Sequence, residues 1–207
     1  MTKSRAMGRR SSEESLQTKA RIVKNAYSLF CDKGYDSTSI REIAKLSNVT
    51  PNTIRHHFGS KLDIWMTVIE PSLTLYKNHL ELALLHIEVS RATPVVAFKH
   101  VIETLVNTLT ENPQIIRLIG VPRNTPNQRE LMVYEELKSV HLSMITLFNK
   151  AKKLESSLKK YDTNTFFTAL IGLVSAPILY SSTRNKTDHY LFSQAYQSQV
   201  FTMLFNN

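Results

Sequence analysis

Apolar residues recur along this chain at helical spacing, and the pattern stops and restarts often enough to divide it into about nine helices. The first is expected from about Leu16 to Lys33. Ile22, Val23, Ala26, Tyr27, Leu29 and Phe30 make its inner stripe, Lys19, Arg21 and Lys24 its outer one, and Gly34 ends it. The next begins after Ser39, which stands three residues before Glu42 in a capping-box pattern, and presents Ile40, Ile43, Ala44 and Leu46 on one face. Ser47-Asn48 interrupts it, since asparagine tolerates the left-handed conformation of a sharp turn. Thr50-Pro51 restarts it as an N-cap followed by a proline at the first helical position. In the new helix Ile54 and Phe58 point inward, which leaves Thr53, Arg55, His56 and His57 for outside contacts. Two short helices around a tight turn, the second with a small buried stripe and a polar, basic outer face, meet the needs of a helix-turn-helix recognition element.

The rest of the chain also reads as helix. One begins at Lys61, bends or breaks near Pro71, and resumes through Leu73, Tyr76, Leu80, Leu84 and Ile87. Pro94 opens another that buries Val95, Phe98, Val101, Ile102, Leu105 and Leu109, and a short one follows over Ile115–Ile119. Gly120 to Asn127 is the clearest loop of this region. A long helix runs from about Gln128 to Lys153 and closes over Ser156–Asp162; two more are expected at about Thr163–Thr183 and His189–Phe205. The predicted class is all-α: an N-terminal three-helix DNA-binding domain and a C-terminal helical domain. The boundaries fall at a basic, serine-rich, disordered arm over 1–15, a head over 16–76 with its motif at 39–58, and a body over 77–207.

The last two helices are apolar on more than one face. Such a helix must bury both sides, so a two-fold homodimer packed as a four-helix bundle is predicted. Its candidate interface is Phe167, Ala169, Leu170, Gly172, Leu173 and Ala176 from one helix, with Tyr196, Val200 and Leu204 from the other. A monomer whose final helices are simply central is the alternative.

The stretch STSIREIAKLSNVTPNTIRHHFGSKLDIW resembles the DNA-binding domain of TetR/AcrR-type bacterial transcriptional regulators. Thr38-Ser39, Ile43-Ala44, Val49-Thr50, Ile54, His57-Phe58 and Lys61 fall on that family's pattern in order and spacing, and the match reaches back to about Leu16. Asn48 and Asn52 stand where glycine is common, and Arg55 where tyrosine is common. The resemblance implies a dimer through the last two helices and a small-molecule pocket among the middle ones, whose filling shifts the spacing of the two recognition helices. It also implies that Lys61 contacts a phosphate. Tyr76, Phe98, Leu105, Ile116, Tyr134, Leu137 and Phe148 suit the lining of a hydrophobic pocket, although each reads equally as plain core. A TetR-like DNA-binding dimer without an effector, whose body contacts a protein, is the second reading. A formed apolar cavity would separate the two.

Charge sharpens the picture of the head. Residues 1–65 hold twelve Lys/Arg against six Asp/Glu, a net +6, out of +9 for the whole chain. Positive charge concentrated on the shorter segment fits a polyanion-binding head on a near-neutral body. Lys3, Arg5, Arg9 and Arg10 of the arm offer phosphate contacts, though a solvated tail reads equally well. Phosphate contacts are expected from Ser39, Thr50, Arg55, His57 and Lys61, and base contacts in a palindromic operator from Pro51, Asn52, Thr53 and His56. Asn52 can pair bidentately with adenine, where glycine would offer only backbone.

Other chemistry finds little support. Adjacent His56 and His57 diverge by about 100° on a helix and cannot share an ion. The single cysteine, Cys31, excludes an internal disulfide and a multi-cysteine zinc site. Five glycines make no phosphate-cradling loop. The chain is therefore expected to be no enzyme and to need no metal or cofactor. With no secretory signal, and an apolar run over 166–180 shorter than the roughly 20 residues that span a bilayer, it is expected in the cytoplasm and without a membrane partner.

Overall fold

The computed structural model describes residues 3–120, 127–180 and 194–205. Among these the chain is all-α, with ten helices: α1 (Lys3–Lys33), α2 (Ile40–Leu46), α3 (Pro51–Phe58), α4 (Lys61–Ser90), α5 (Pro94–Glu111), α6 (Gln114–Ile119), α7 (Gln128–Leu154), α8 (Ser156–Lys159), α9 (Thr163–Tyr180) and α10 (Gln194–Phe205). It divides into two compact units, Met1–Pro71 and Ser72–Asn207.

In the head, α1 buries Ile22, Ala26 and Phe30, a single line at i, i+4 and i+8. They share a core with Ile43 and Ala44 of α2, Ile54 of α3, and Ile64, Trp65 and Ile69 at the start of α4. The buried line is narrower than expected. Tyr27 is exposed and Val23 and Leu29 are half-buried, while on the two-turn α2 Leu46 lies 55% exposed. Helices this short cover only a strip of their neighbours. The predicted arm is also corrected: α1 starts at Lys3, well before Leu16. Residues 3–15 hold no proline and several good helix formers, so the helix continues where its apolar stripe has ended. Periodicity is read from apolar positions, and a helical stretch without a regular apolar stripe escapes it. At the other end Gly34 takes φ +81°, the left-handed cap that a glycine accepts without strain.

The helix α4 passes Pro71 without interruption. Proline withholds a donor from the carbonyl four residues earlier, yet Val68, Ile69, Leu73 and Tyr76, buried on either side, keep the backbone helical.

In the body, α5 packs on α7, α9 and α10. The centre is a phenylalanine cluster: Phe98 and Phe148 lie 5.4 Å apart, Phe148 and Phe166 4.9 Å, and Phe166 and Phe205 6.0 Å between ring centroids. Tilted and edge-on rings at such distances bury much apolar area with favourable quadrupole geometry. The helix α8 falls where the sequence predicts only the close of α7; Glu155 caps it through Ser157. Asn127 and Glu130 form a complete capping box at the start of α7. The end of the predicted helix at 181–183, the start of the last helix at His189 with Phe192, and most of the loop after Gly120 lie outside the described residues.

One body contact repairs a break in the backbone. Pro177, inside α9, cannot donate to the Leu173 carbonyl four residues before it. The Tyr196 hydroxyl, on α10, donates to that same carbonyl. A carbonyl shielded from water and left without a partner is costly; at half-buried Leu173 the tyrosine supplies from another helix what proline removes.

Candidate nucleic-acid interface and body cavity

Local chemistry sets the helix-turn-helix. The Ser39 hydroxyl accepts from the Glu42 amide at 3.2 Å, and the Thr50 hydroxyl accepts from the Thr53 amide at 3.1 Å. Asn48 takes φ +51° in the turn between α2 and α3. The expected capping box at Ser39 is only half made, because the Glu42 carboxylate pairs with Lys33 of α1.

Polar clasps from outside the motif complete it. Arg21 Nε donates to the Ser47 carbonyl at 2.8 Å, and Asn25 Nδ2 to the Ser47 hydroxyl at 3.1 Å. Ser47 is wholly buried at the C-terminus of α2, so α1 holds the turn by its polar face as well as its apolar one. Arg21, expected in solvent or near DNA, is therefore part of the scaffold. Its spacing of four from Asn25 puts both on one face of α1, a signal that the sequence does contain. Thr38, 2% exposed, donates to the Gly34 carbonyl at 2.8 Å.

Lys61, expected at a phosphate, has partners within the protein. Its ammonium donates to the Tyr35 and Thr38 carbonyls, each at 2.9 Å, and lies 4.1 Å from the Tyr35 ring centroid. Here it is a tether between α4 and the loop before α2. The hydrogen bonds are charge-assisted, and the loop carbonyls have no helix to satisfy them. Beside it, Ser60 donates through both its amide and its hydroxyl to Asp63, which holds that carboxyl below its ordinary pKa.

The remaining outward residues stand as follows. Ser39, Thr50, Pro51, Asn52, Arg55 and His56 are exposed on α2, α3 and their caps; Thr53 and His57 are half-buried. The Thr53 hydroxyl shares a hydrogen bond of 2.9 Å with Thr50. The His56 and His57 rings are nearly perpendicular, at 87°, and do not converge. Ile54 is buried, while Phe58 is half-buried with Lys19 of α1 lying 5.5 Å from its ring centroid.

The body contains a cavity of about 640 Å³ among α4, α5, α7 and α9. Leu105, Met144, Ile145, Phe167 and Ile171 supply an apolar wall, and Thr163, Asn164, Thr168 and Ser175 bring polar atoms from one side of α9 and its start. At one pole Tyr76 and His141 share a hydrogen bond of 3.1 Å. Burial raises the Tyr76 phenol above its ordinary pKa and lowers that of the His141 imidazole. Of the seven residues expected to line a pocket, Tyr76 and Leu105 do. Phe98 and Phe148 instead belong to the phenylalanine cluster, Ile116 and Leu137 are buried in the core, and Tyr134 is 52% exposed. Sequence reasoning overlooked His141 and Met144 of α7, which follow one another at helical spacing, and the α9 side of the wall.

Helix α9 has three faces, because successive residues turn by about 100°. Phe166, Leu170, Val174 and Ile178 are buried in the core. Phe167, Thr168, Ile171, Gly172 and Ser175 line the cavity. Ala169, Leu173 and Ala176 form the third face and are half-buried. The expected interface is thereby divided. Leu170, Val200 and Leu204 are buried within this single chain, Phe167 and Gly172 face the cavity, and the Tyr196 hydroxyl is engaged inside the protomer. On α10, Ser198, Gln199 and Thr202 are exposed, and so are Ala195 and Met203, so the described part of that helix has a mixed outer side.

Among the described residues no three His, Cys, Asp or Glu side chains stand close enough to hold a metal ion, and no helix is long and apolar enough to cross a membrane.

Residues 22–65 match the profile described as bacterial regulatory proteins, tetR family. The head is of the TetR type. It is 43% identical over 47 residues to the Biofilm operon icaADBC HTH-type negative transcriptional regulator IcaR of Staphylococcus aureus (strain Newman), covering 23% of this chain and 25% of that protein. It is also 38% identical over 66 residues to the HTH-type transcriptional regulator AcrR of Shigella flexneri, covering 32% of this chain and 31% of the relative. The chain thus matches only about a quarter to a third of the length of these relatives. Solved structures extend the likeness to the fold of the body. AibR, solved with isovaleryl coenzyme A and operator DNA, superposes with a TM-score of 0.65 at 18% identity, covering 91% of this chain and 98% of that one. The hemolysin II transcriptional regulator HlyIIR gives 0.63 at 21% identity, covering 93% and 99%. The TetR family regulator PfmR of Thermus thermophilus gives 0.59 at 18%, covering 87% and 96%.

Proposed function

We propose that this chain is a dimeric DNA-binding transcriptional regulator, and more narrowly a repressor that leaves a palindromic operator when a small apolar molecule occupies the body cavity. The observation that carries the reading is α3: a short helix, capped by Thr50, that buries Ile54 and leaves Pro51, Asn52, Arg55 and His56 exposed. Pro51, Asn52, Thr53 and His56 read base edges in the major groove. Thr50 and Ser39, whose hydroxyls accept cap bonds and keep a hydrogen to donate, hold phosphates together with the amides at the helix starts. Arg55 and His57 add backbone contacts, and Lys61 joins them by sharing its ammonium with the loop carbonyls.

The partner copy packs on the third face of α9, where Ala169 and Ala176 allow close approach beside Leu173. A two-fold dimer engages half-sites about 34–36 Å apart, so a change in the spacing of its heads changes affinity. The cavity supports the ligand-responsive reading over the effector-free one, since a body serving only as a protein-docking surface needs no such space. It shares α9 with the proposed dimer face, which gives an occupant a lever on the dimer. The continuous α4 is the proposed connection from body to head, in the cytoplasm where the operator lies.

Selection of bound duplexes from a random pool, with and without candidate apolar compounds, tests the proposal. An enriched palindrome that Asn52→Ala relaxes at one symmetric base pair, by about 1–3 kcal/mol, is expected. Failure to enrich any palindrome would overturn it.

A further inference from the structure

We infer that the body cavity takes an electrically neutral ligand, with an apolar body and a single carbonyl or hydroxyl seated on the Tyr76–His141 pole. This rests on the ligand-responsive reading above and narrows its chemistry.

The cavity's wall is the first ground. Among the described residues no Lys, Arg, Asp or Glu lines it. A charge moved from water into apolar surroundings is heavily penalised unless it meets an opposite charge, and here none waits. The volume of about 640 Å³ lies within the range of about 300–1,000 Å³ usual for small-molecule sites.

The pole is the second ground. Tyr76 Oη and His141 Nε2 lie 3.1 Å apart, and the pair can be polarised in two ways. If the imidazole donates, the phenol hydrogen is left to donate to a ligand carbonyl; if the phenol donates, its oxygen accepts from a ligand hydroxyl. Either arrangement serves an uncharged oxygen, and neither compensates an ion. Burial acts on both groups in the same sense, holding the phenol protonated and disfavouring the imidazolium.

Gly172 supplies the control. A Cβ added there would meet nothing within 4 Å, so the first atom of a leucine at this exposed position of the cavity wall fits without a clash.

The test uses the full chain at pH 8 and four ten-carbon probes, 2-decanone, 1-decanol, decanoate and decylamine, with dissociation constants from equilibrium dialysis and thermal melting alongside. The ketone and the alcohol are expected to bind at least about tenfold more tightly than either ion. Tyr76→Phe should weaken 2-decanone about fivefold, over and above any change in the melting of the unliganded chain, which also loses the bond to His141. Gly172→Leu should weaken both neutral probes. Decanoate or decylamine binding as tightly as the ketone, an unchanged preference in Tyr76→Phe, or no binding of either neutral probe would each overturn the inference. DNA binding is scored separately. A chain that discriminates the probes but selects no operator upholds this inference and overturns the regulator reading instead.

Discussion

The head and the body are both helical, yet they are held together by different means. The head has a narrow apolar strip, and polar bonds to backbone carbonyls finish it: Lys61 on Tyr35 and Thr38, Arg21 on Ser47, Thr38 on Gly34. The body is centred on tilted and edge-on phenylalanines, with a cavity beside them. Under the proposed function, the difference follows from what each part has to present. A reader of DNA needs a few exposed side chains at fixed positions, and directional bonds set position better than apolar contact does. A receptor of a small molecule needs space bordered by several helices, which a large apolar core can supply.

The largest expected effect lies in the body. Phe148→Ala removes a fully buried ring from the cluster and should cost about 3–5 kcal/mol, read as a lower urea midpoint for the body. A loss near zero would mean that the cluster is not what holds this unit together.

Lys61→Met tests the head's reliance on polar clasps. It keeps the apolar stem but removes two charge-assisted hydrogen bonds, at an expected cost of about 1.5–3 kcal/mol in the stability of the head. Were Lys61 chiefly a phosphate contact, stability would be unchanged and only the salt dependence of DNA binding would fall, by about one unit of slope.

A smaller effect should come from Tyr196→Phe, about 1–2 kcal/mol, because the Leu173 carbonyl then loses its donor. In a Pro177→Ala background the helix supplies its own donor to that carbonyl, so the second substitution should cost less. Equal costs in both backgrounds would show that the tyrosine does not compensate for the proline.

The smallest is a matter of pH. The Asp63 carboxyl has a lowered pKa because Ser60 donates to it twice. Its contribution is therefore complete above the ordinary carboxylate pKa of 3.8 and disappears as pH falls through the lower, folded value. Asp63→Asn should lower stability slightly at neutral pH and flatten its loss below about pH 4, so that the two chains converge in acid. An unchanged acid limb would remove Asp63 from the account.

Much of the head was legible in the residues alone. Ser39, Asn48, Thr50, Pro51 and Gly34 are readable because caps, left-handed turns and first-turn prolines depend on one residue and its near neighbours. The strip formed by Ile22, Ala26, Phe30, Ile43 and Ile54 is readable for a similar reason, since helical spacing converts position into direction. The beginning of α1 was not, because residues 3–15 carry no regular apolar pattern. Nor was the unbroken α4, in which buried neighbours outweigh the penalty of Pro71.

The sequence by itself determined that this chain is helical, where most of its helices start and stop, and which short helix presents the outward residues that resemble a DNA reader. Those properties arise within a few residues of chain. Only the tertiary structure decided that Lys61 is bound to two loop carbonyls, that Tyr196 repairs the break at Pro177, and that α9 divides into a core face, a cavity face and a third, half-covered face. It alone separated Tyr76 and His141, which border empty space, from Phe98 and Phe148, which fill it. A cavity is an absence shared by several helices, and no single stretch of sequence records where side chains from distant positions fail to meet.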